Sequence, residues 1–263
     1  MKVEFMKYHG CGNDFLLINF TDEIDYSDLA KKICNRNLGV GADGIIVFQA
    51  PSTMLFYNAD GSAGSMCGNG LRCLARYLHD IKKVDNDYFI VNTPAGPKPV
   101  MILGELIEIN LGKPDFSGKV MKIKDEPDNY IGQKICGIEV SAVFTGAAHL
   151  VVYVDDIETV ETKTGMALSN HSLFTDRINV NFVKMINRET FAVRTFERGV
   201  GWTAACGTGA AAVYAISYLK GLCAEAISVR FRYGTVKVHY NNQHQLLLTG
   251  PAEKIAKGYF YYK

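Results

Sequence analysis

The sequence holds one tryptophan, no Cys-x-x-Cys pair, no apolar run of membrane-spanning length and almost no net charge. Each shortage closes off a class of protein. Lys and Arg total 28 against 27 Asp and Glu and are scattered, so there is no basic stripe for a nucleic acid. A membrane helix needs about 20 consecutive apolar residues, and none occur. The opening MKVEFMKYHG lacks the charged and apolar regions of a secretory leader, so a cytoplasmic location is expected. The seven cysteines are odd in number and not spaced as a disulfide framework, so free thiols are expected. Histidines and cysteines lack metal-ligand spacing, and GVGADG (39–44) lacks the full dinucleotide pattern and its βαβ context. No metal and no cofactor is therefore expected. The expected partner is a small molecule, not a nucleic acid or a membrane, with room for a homodimer.

What is present points to a packed, strand-rich chain. Hydrophobic residues make up 48% of 263, enough for a sizeable core. Alternating Val, Ile, Phe and Tyr predict strands at 2–8, 14–20, 44–49, 53–58, 87–92, 99–110, 139–145, 149–155, 179–185, 189–196, 226–240 and 244–249. Helices are predicted at 26–36, 68–82, 157–172 and 207–220. FYNADGSAGSMCGNG runs strand, turn, cysteine, helix, and FERGVGWTAACGTG does the same in the second half. The Gly-, Pro- and charge-rich stretch 111–135 reads as a linker. The simplest architecture is α+β: two pseudo-symmetric domains facing one another, with the active site in the cleft between them.

Cys67 precedes Gly-Asn-Gly and Cys206 precedes Gly-Thr-Gly, each at a helix entrance. Glycines let the backbone turn tightly and present consecutive N–H groups, and the helix adds its positive end. Such a place binds a carboxylate and favours a thiolate, whose pKa falls from about 8.5 to about 3.5–7.5 at helix N-termini. One site of this kind suggests a nucleophile. Two suggest a pair of bases: a thiolate takes the α-proton from one face of a carbon and a thiol returns one to the other, inverting the centre. A thiol redox switch and a non-catalytic amino-acid binder are the competing classes. Cys73, about 240° round the helix from Cys67, faces elsewhere. Cys34, Cys136 and Cys223 lie in apolar settings, and Cys11 in HGCGND borders the candidate pocket.

The segments YHGCGNDF (8–15), GVGADGII (39–46), YNADGSAGSMCGNGLRC (57–73), INVNFV (178–183) and ERGVGWTAACGTGA (197–210) together resemble the diaminopimelate epimerase family of amino-acid racemases that work without pyridoxal phosphate. The resemblance covers nearly the whole chain. It implies that each domain is a β-barrel-like sheet around a central helix. The domains would be 1–116, carrying Cys67, and 117–250, carrying Cys206, with 251–263 returning to the first. It implies catalytic roles for Cys67, Cys206, Glu197 and His149, with Glu197 meeting the substrate ammonium. The N–H groups of Gly68, Asn69, Gly207 and Thr208 would hold the α-carboxylate, and Asn13, Asn58, Asn179 and Arg198 would line the pocket.

Two positions depart from the family pattern. Where the family has Met-Gly-Asn-Pro-His, this chain has Thr145-Gly-Ala-Ala-His149, so Ala147 replaces an asparagine that serves the distal end of diaminopimelate. Where it has Gly-Glu-Thr before the second cysteine, this chain has Gly201-Trp202-Thr203. Both changes trade polar recognition for apolar volume. They favour histidine as the substrate of an amino-acid racemase, with diaminopimelate as the alternative, and cast Trp202 as a flat pocket wall or a packing residue.

Overall fold

The computed structural model describes residues 1–84 and 86–263. Two compact units are present: residues 1–109 with 250–263, and residues 110–249. In each, a sheet wraps a central helix.

In the first unit, β1 (Lys2–Gly10) turns back into β2 (Asn13–Asn19) through Cys11 and Gly12, both at positive φ. Helix α1 (Tyr26–Ile33), capped by Asp25, crosses to β3 (Gly44–Gln49), which lies parallel to β2. Then β4 (Thr53–Asn58) pairs antiparallel with β3, and a short β5 (Ala63–Gly64) returns on β4. Cys67 follows, and then α2 (Gly68–Asp80). The sheet continues through β6 (Tyr88–Thr93), β7 (Gly96–Leu103) and β8 (Leu106–Gly112). The C-terminal strand Glu253–Tyr261 runs antiparallel along β1. Helix α2 packs on β1, β2, β3, β4 and β7, and every residue from Gly68 to Leu78 is buried.

The second unit repeats this wiring. After β9 (Tyr130–Ile135), β10 (Ile138–Phe144) and β11 (Ala148–Tyr153) form the hairpin. Helix α3 (Thr162–Ser169) crosses to β12 (Asn179–Asn187), parallel to β11. β13 (Thr190–Glu197) and the short β14 (Gly201–Thr203) lead to Cys206 and α4 (Gly207–Leu219). β15 (Ala226–Phe231), parallel to β13, is followed by β16 (Gly234–Tyr240) and β17 (Leu246–Pro251). The C-terminal strand is thus β18, and it lies beside β1 as β9 lies beside β10. Helix α4 is predominantly apolar, and from Gly207 to Ser217 every residue except Thr208 is buried, as suits a helix enclosed by a sheet. Among the described residues, no helix is long and apolar enough to cross a membrane.

Several expected elements differ. The single strand expected at 99–110 breaks at Gly104, whose φ of +63° makes a turn that β-branched residues resist. The strand expected at 226–240 turns at Arg232–Tyr233. The stretch expected as a linker, 111–135, belongs to the second unit. Met121 and Ile123 are buried in its core, Asp115 bridges Phe144, and β9 ends the stretch. The units divide at 109/110 and 249/250, against the expected 116/117 and 250/251. Cys136 is exposed rather than apolar-packed, because it and Gly137 form the two positive-φ positions of the β9–β10 turn.

Candidate active site

Cys67 and Cys206 sit at the N-caps of α2 and α4 with nearly the same backbone, φ −136° and ψ 117° against φ −127° and ψ 111°. Extended geometry at the cap aims the side chain back over the first turn. Neither helix has an acidic residue in that turn. The positive helix end is therefore unopposed by an acid in its own first turn. The first N–H groups of any helix have no acceptor within it, and here they belong to Gly68, Asn69, Gly207 and Thr208. Cys67 Sγ accepts from the Gly70 N–H at 3.4 Å. Cys206 Sγ lies 3.4 Å from the Thr208 hydroxyl.

The strands place a second pair at matching positions. Asn58 ends β4 nine residues before Cys67, and Glu197 ends β13 nine residues before Cys206. The topological repeat makes these two positions equivalent. The spacing was visible in the sequence, but it had no meaning until the strand registers aligned the halves. Asn58 donates to Ser62 Oγ at 2.9 Å, and Glu197 accepts from Thr203 Oγ1 at 2.7 Å.

In the first unit a chain of fixed polarity runs from α2 to β2 and on to the α1–β3 loop. Arg72, fully buried, donates to Asn69 Oδ1 at 2.9 Å and to the Pro251 carbonyl at 3.3 Å. Guanidinium cannot accept, so the Asn69 oxygen must face it and its amide nitrogen donates to Asn13 Oδ1 at 3.0 Å. Asn13 in turn donates to Asp43 Oδ2 at 2.6 Å. Arg36 bridges Asp43 and Asp14. Burial alone would raise the Asp14 carboxyl, but hydrogen bonds from Arg36 and Lys7 outweigh it and hold the group below its ordinary value. The structure thus brings Asn13 and Asn69 into contact, and it adds Arg72, Asp43, Asp14 and Arg36, which sequence reasoning missed. No spacing rule marks them, since β2, β3 and the α1–β3 loop are brought together only by the parallel pairing of β2 with β3.

In the second unit His149 is the second residue of β11 and is fully buried. Its Nε2 lies 2.9 Å from Thr208 Oγ1 and its Nδ1 lies 3.1 Å from Asn181 Nδ2. Burial pushes the imidazole down to about 3, with the positive field of Arg198 adding to it, so His149 is neutral at working pH. One hydroxyl separates it from Cys206. Thr145 Oγ1 donates to the Thr208 carbonyl at 2.8 Å. Asn181, missed by sequence reasoning, lies two residues after Asn179 on β12; period-two alternation puts both on one face, which was the available signal.

Other expected residues are arranged differently. Arg198 directly follows β13. Its guanidinium binds Asp176 Oδ2 at 2.9 Å, and its N–H donates to Asn179 Oδ1 at 3.0 Å. Trp202 is half-buried and packs against the core of the second unit. Its ring meets Phe196 edge-on at 5.3 Å and Phe182 at 5.8 Å, the Arg194 guanidinium covers it at 3.8 Å, and Nε1 donates to Thr162 at 2.9 Å. Ala147 lies in the β10–β11 turn, its carbonyl accepting from the Thr145 N–H at 3.0 Å. Cys73 and Cys11 are buried in the first unit; burial raises both thiols, and the Arg72 charge works against it. Cys34 is pushed up to about 12 by burial and Cys223 to about 11. None of these four is a candidate thiolate.

The profile of the family described as diaminopimelate epimerase matches residues 5–117 and 141–255. A diaminopimelate epimerase of Caldanaerobacter subterraneus subsp. tengcongensis is 36% identical over 270 residues, covering 97% of this chain and 98% of that one. One of Bacillus anthracis is 35% identical over 280 residues, covering 98% and 97%. Among solved structures, a phenazine biosynthesis protein of the PhzF family from Bacillus anthracis superposes over 100% of both chains with a TM-score of 0.72 at 15% identity. A probable proline racemase from Agrobacterium radiobacter matches with a TM-score of 0.72 at 13% identity, over 99% of this chain and 93% of the other. At those identities the two structures speak for the fold.

Proposed function

The chain belongs to the diaminopimelate epimerase family, and from that premise we propose that it interconverts LL- and meso-diaminopimelate by a two-base reaction of Cys67 and Cys206. It is an isomerase of the amino-acid epimerase class. The observation that carries the mechanism is the repeated cap: two cysteines of matched backbone, each with the positive end of a 13-residue helix behind it.

One Sγ, as thiolate, takes the α-proton. The C–H electron pair moves onto the α-carbon and into the carboxylate. The other Sγ, as thiol, gives its proton to the opposite face and closes a new C–H bond. Nothing is oxidised or reduced, and the two sulfurs leave the cycle with protonation states exchanged. The N–H groups of Gly68, Asn69, Gly207 and Thr208 receive the charge that develops on the carboxylate. Glu197 meets the reacting ammonium. Asn58, Asn179 and Arg198 serve the distal amino-acid end, and Asn13 lines the pocket. His149 acts behind Thr208 rather than on the substrate.

Diaminopimelate replaces histidine as the favoured substrate for two reasons. The curated relatives are diaminopimelate epimerases along almost their whole length. The aromatic wall that favoured histidine was Trp202, and that ring is held by Phe182, Phe196 and Arg194. The test is α-proton exchange in D₂O with reduced protein and LL-diaminopimelate, meso-diaminopimelate or L-histidine. Exchange and inversion are expected with the diaminopimelates, and Cys67→Ala and Cys206→Ala should each abolish inversion. Inversion of histidine alone overturns the substrate, and full inversion by either alanine variant overturns the two-base reaction.

A further inference from the structure

The polar chain behind Cys206 has one direction, and a single side chain sets it. Asn181 Nδ2 lies 2.9 Å from the Leu150 carbonyl, which can only accept, so that atom is the amide nitrogen. The Thr195 hydroxyl donates to Asn181 Oδ1 at 3.0 Å, which fits the same orientation. The second amide hydrogen therefore points at His149 Nδ1, 3.1 Å away, and makes that nitrogen an acceptor. A neutral imidazole with an accepting Nδ1 carries its proton on Nε2. Nε2–H then donates to Thr208 Oγ1 at 2.9 Å, and the Thr208 proton is released from the histidine for Cys206 Sγ at 3.4 Å. In the opposite tautomer Nε2 would claim the Thr208 proton and the sulfur would lose that donor.

The repeat shows that this chain is peculiar to the second unit. Strand pairing sets Phe15 opposite Gly44 and Ile46 opposite Phe56 in the first unit, and His149 opposite Asn179 and Asn181 opposite Thr195 in the second. The positions of His149, Asn181 and Thr195 are thus held by Phe15, Ile46 and Phe56 in the first. The helix contacts agree: a Cβ on Gly70 would meet Ile46 Cδ1 at 2.6 Å, and one on Gly209 would meet Asn181 Oδ1 at 2.3 Å. The same place under the first helical turn is apolar behind Cys67 and polar behind Cys206. The charged groups bearing on this corner are Arg198, tied to Asp176, and Glu197, which holds Thr203.

We propose that Asn181 is a positioning residue that fixes His149 as the Nε2–H tautomer and so directs the Thr208 hydroxyl to the Cys206 sulfur, favouring the thiolate there. The two bases are then unequal before substrate arrives. The proposal rests on the cysteine reading above, but its test does not use the substrate.

The experiment is alkylation of Cys206 by iodoacetamide against pH in the full chain carrying Cys67→Ser, read on the Cys206 peptide by mass spectrometry. Asn181→Asp, as the carboxylate, carries no donor and accepts from Nδ1–H, which turns His149 to the opposite tautomer. It should move the Cys206 titration up by about one pH unit, a roughly tenfold loss of reactivity near neutrality. Thr208→Val should do the same, and adding Asn181→Asp to Thr208→Val should move it little further. A shift from Asn181→Asp that persists undiminished without the Thr208 hydroxyl marks a direct charge effect and overturns the relay, as does no shift from either variant. Nitrogen NMR of His149 in the unsubstituted chain gives the independent readout: protonated Nε2 supports the proposal, and protonated Nδ1 overturns it even if a variant fails to fold. A chain that shows the relay yet leaves diaminopimelate untouched keeps this proposal and loses the substrate assignment.

Discussion

Gly70 and Gly209 occupy the same place in the two helices, and replacing each by alanine should have different costs. An added Cβ at Gly70 meets Ile46 Cδ1 at 2.6 Å and Met54 Cε and Cys67 Cβ at 3.4 Å. The closest atom is the free end of a flexible side chain that can turn away. An added Cβ at Gly209 meets Asn181 Oδ1 at 2.3 Å and Cys206 Cβ at 3.2 Å. That amide cannot turn, because Leu150, Thr195 and His149 hold it. Overpacking costs about 1–3 kcal/mol, and alanine in a helix returns up to about 1 kcal/mol relative to glycine, so Gly70→Ala should fall near 0–2 kcal/mol. Gly209→Ala adds the loss of buried amide hydrogen bonds, about 1–3 kcal/mol, and should cost about 3 kcal/mol in all. At roughly 2–4 °C per kcal/mol, thermal unfolding of Gly209→Ala should begin about 6–12 °C early. Equal midpoints for the two variants would refute the argument that the Asn181 amide is pinned.

His149 contributes stability that is present in full above its unfolded pKa near 6.5 and is lost as pH falls toward about 3, because only the unfolded chain takes up the proton in that window. The slope should be about 1.4 kcal/mol per pH unit in urea titrations and should vanish in His149→Gln. Ala147→Asn restores an amide where the family carries one, and should lower KM for diaminopimelate by about tenfold if a hydrogen bond to a charged group is regained; an unchanged KM would mean the distal end does not reach that turn. Trp202→Phe should cost about 1 kcal/mol through the lost Thr162 bond and weaker Arg194 stacking, while the preference between diaminopimelate and histidine stays put in competition assays. A changed preference would return the ring to the substrate.

The strongest signals in the sequence were local ones. A cysteine followed by Gly-x-Gly and a helix fixes a cap, because the φ/ψ of the cap and the first turn are decided within a few residues. The signals failed where one residue's meaning lay in a partner far along the chain. The stretch 111–135 looked like a linker by composition, yet Met121 and Ile123 are core residues because the sheet of the second unit needs a cover. Strand β18 was read only as a returning tail; its alternation is weak because most of its side chains are exposed.

By itself the sequence determined the family and the two capped cysteines, the caps being set by short-range sterics and helix geometry. Only the tertiary structure decided what stands behind each cap. Parallel pairing of β2 with β3 and of β11 with β12 is a long-range choice. That pairing gives Phe15 and Ile46 in the first unit the positions that His149 and Asn181 hold in the second, although nothing in the spacing of those residues distinguishes them. The same folding sets the half-buried Trp202 ring against Phe182, Phe196 and Arg194, where it gains from burial and stacking.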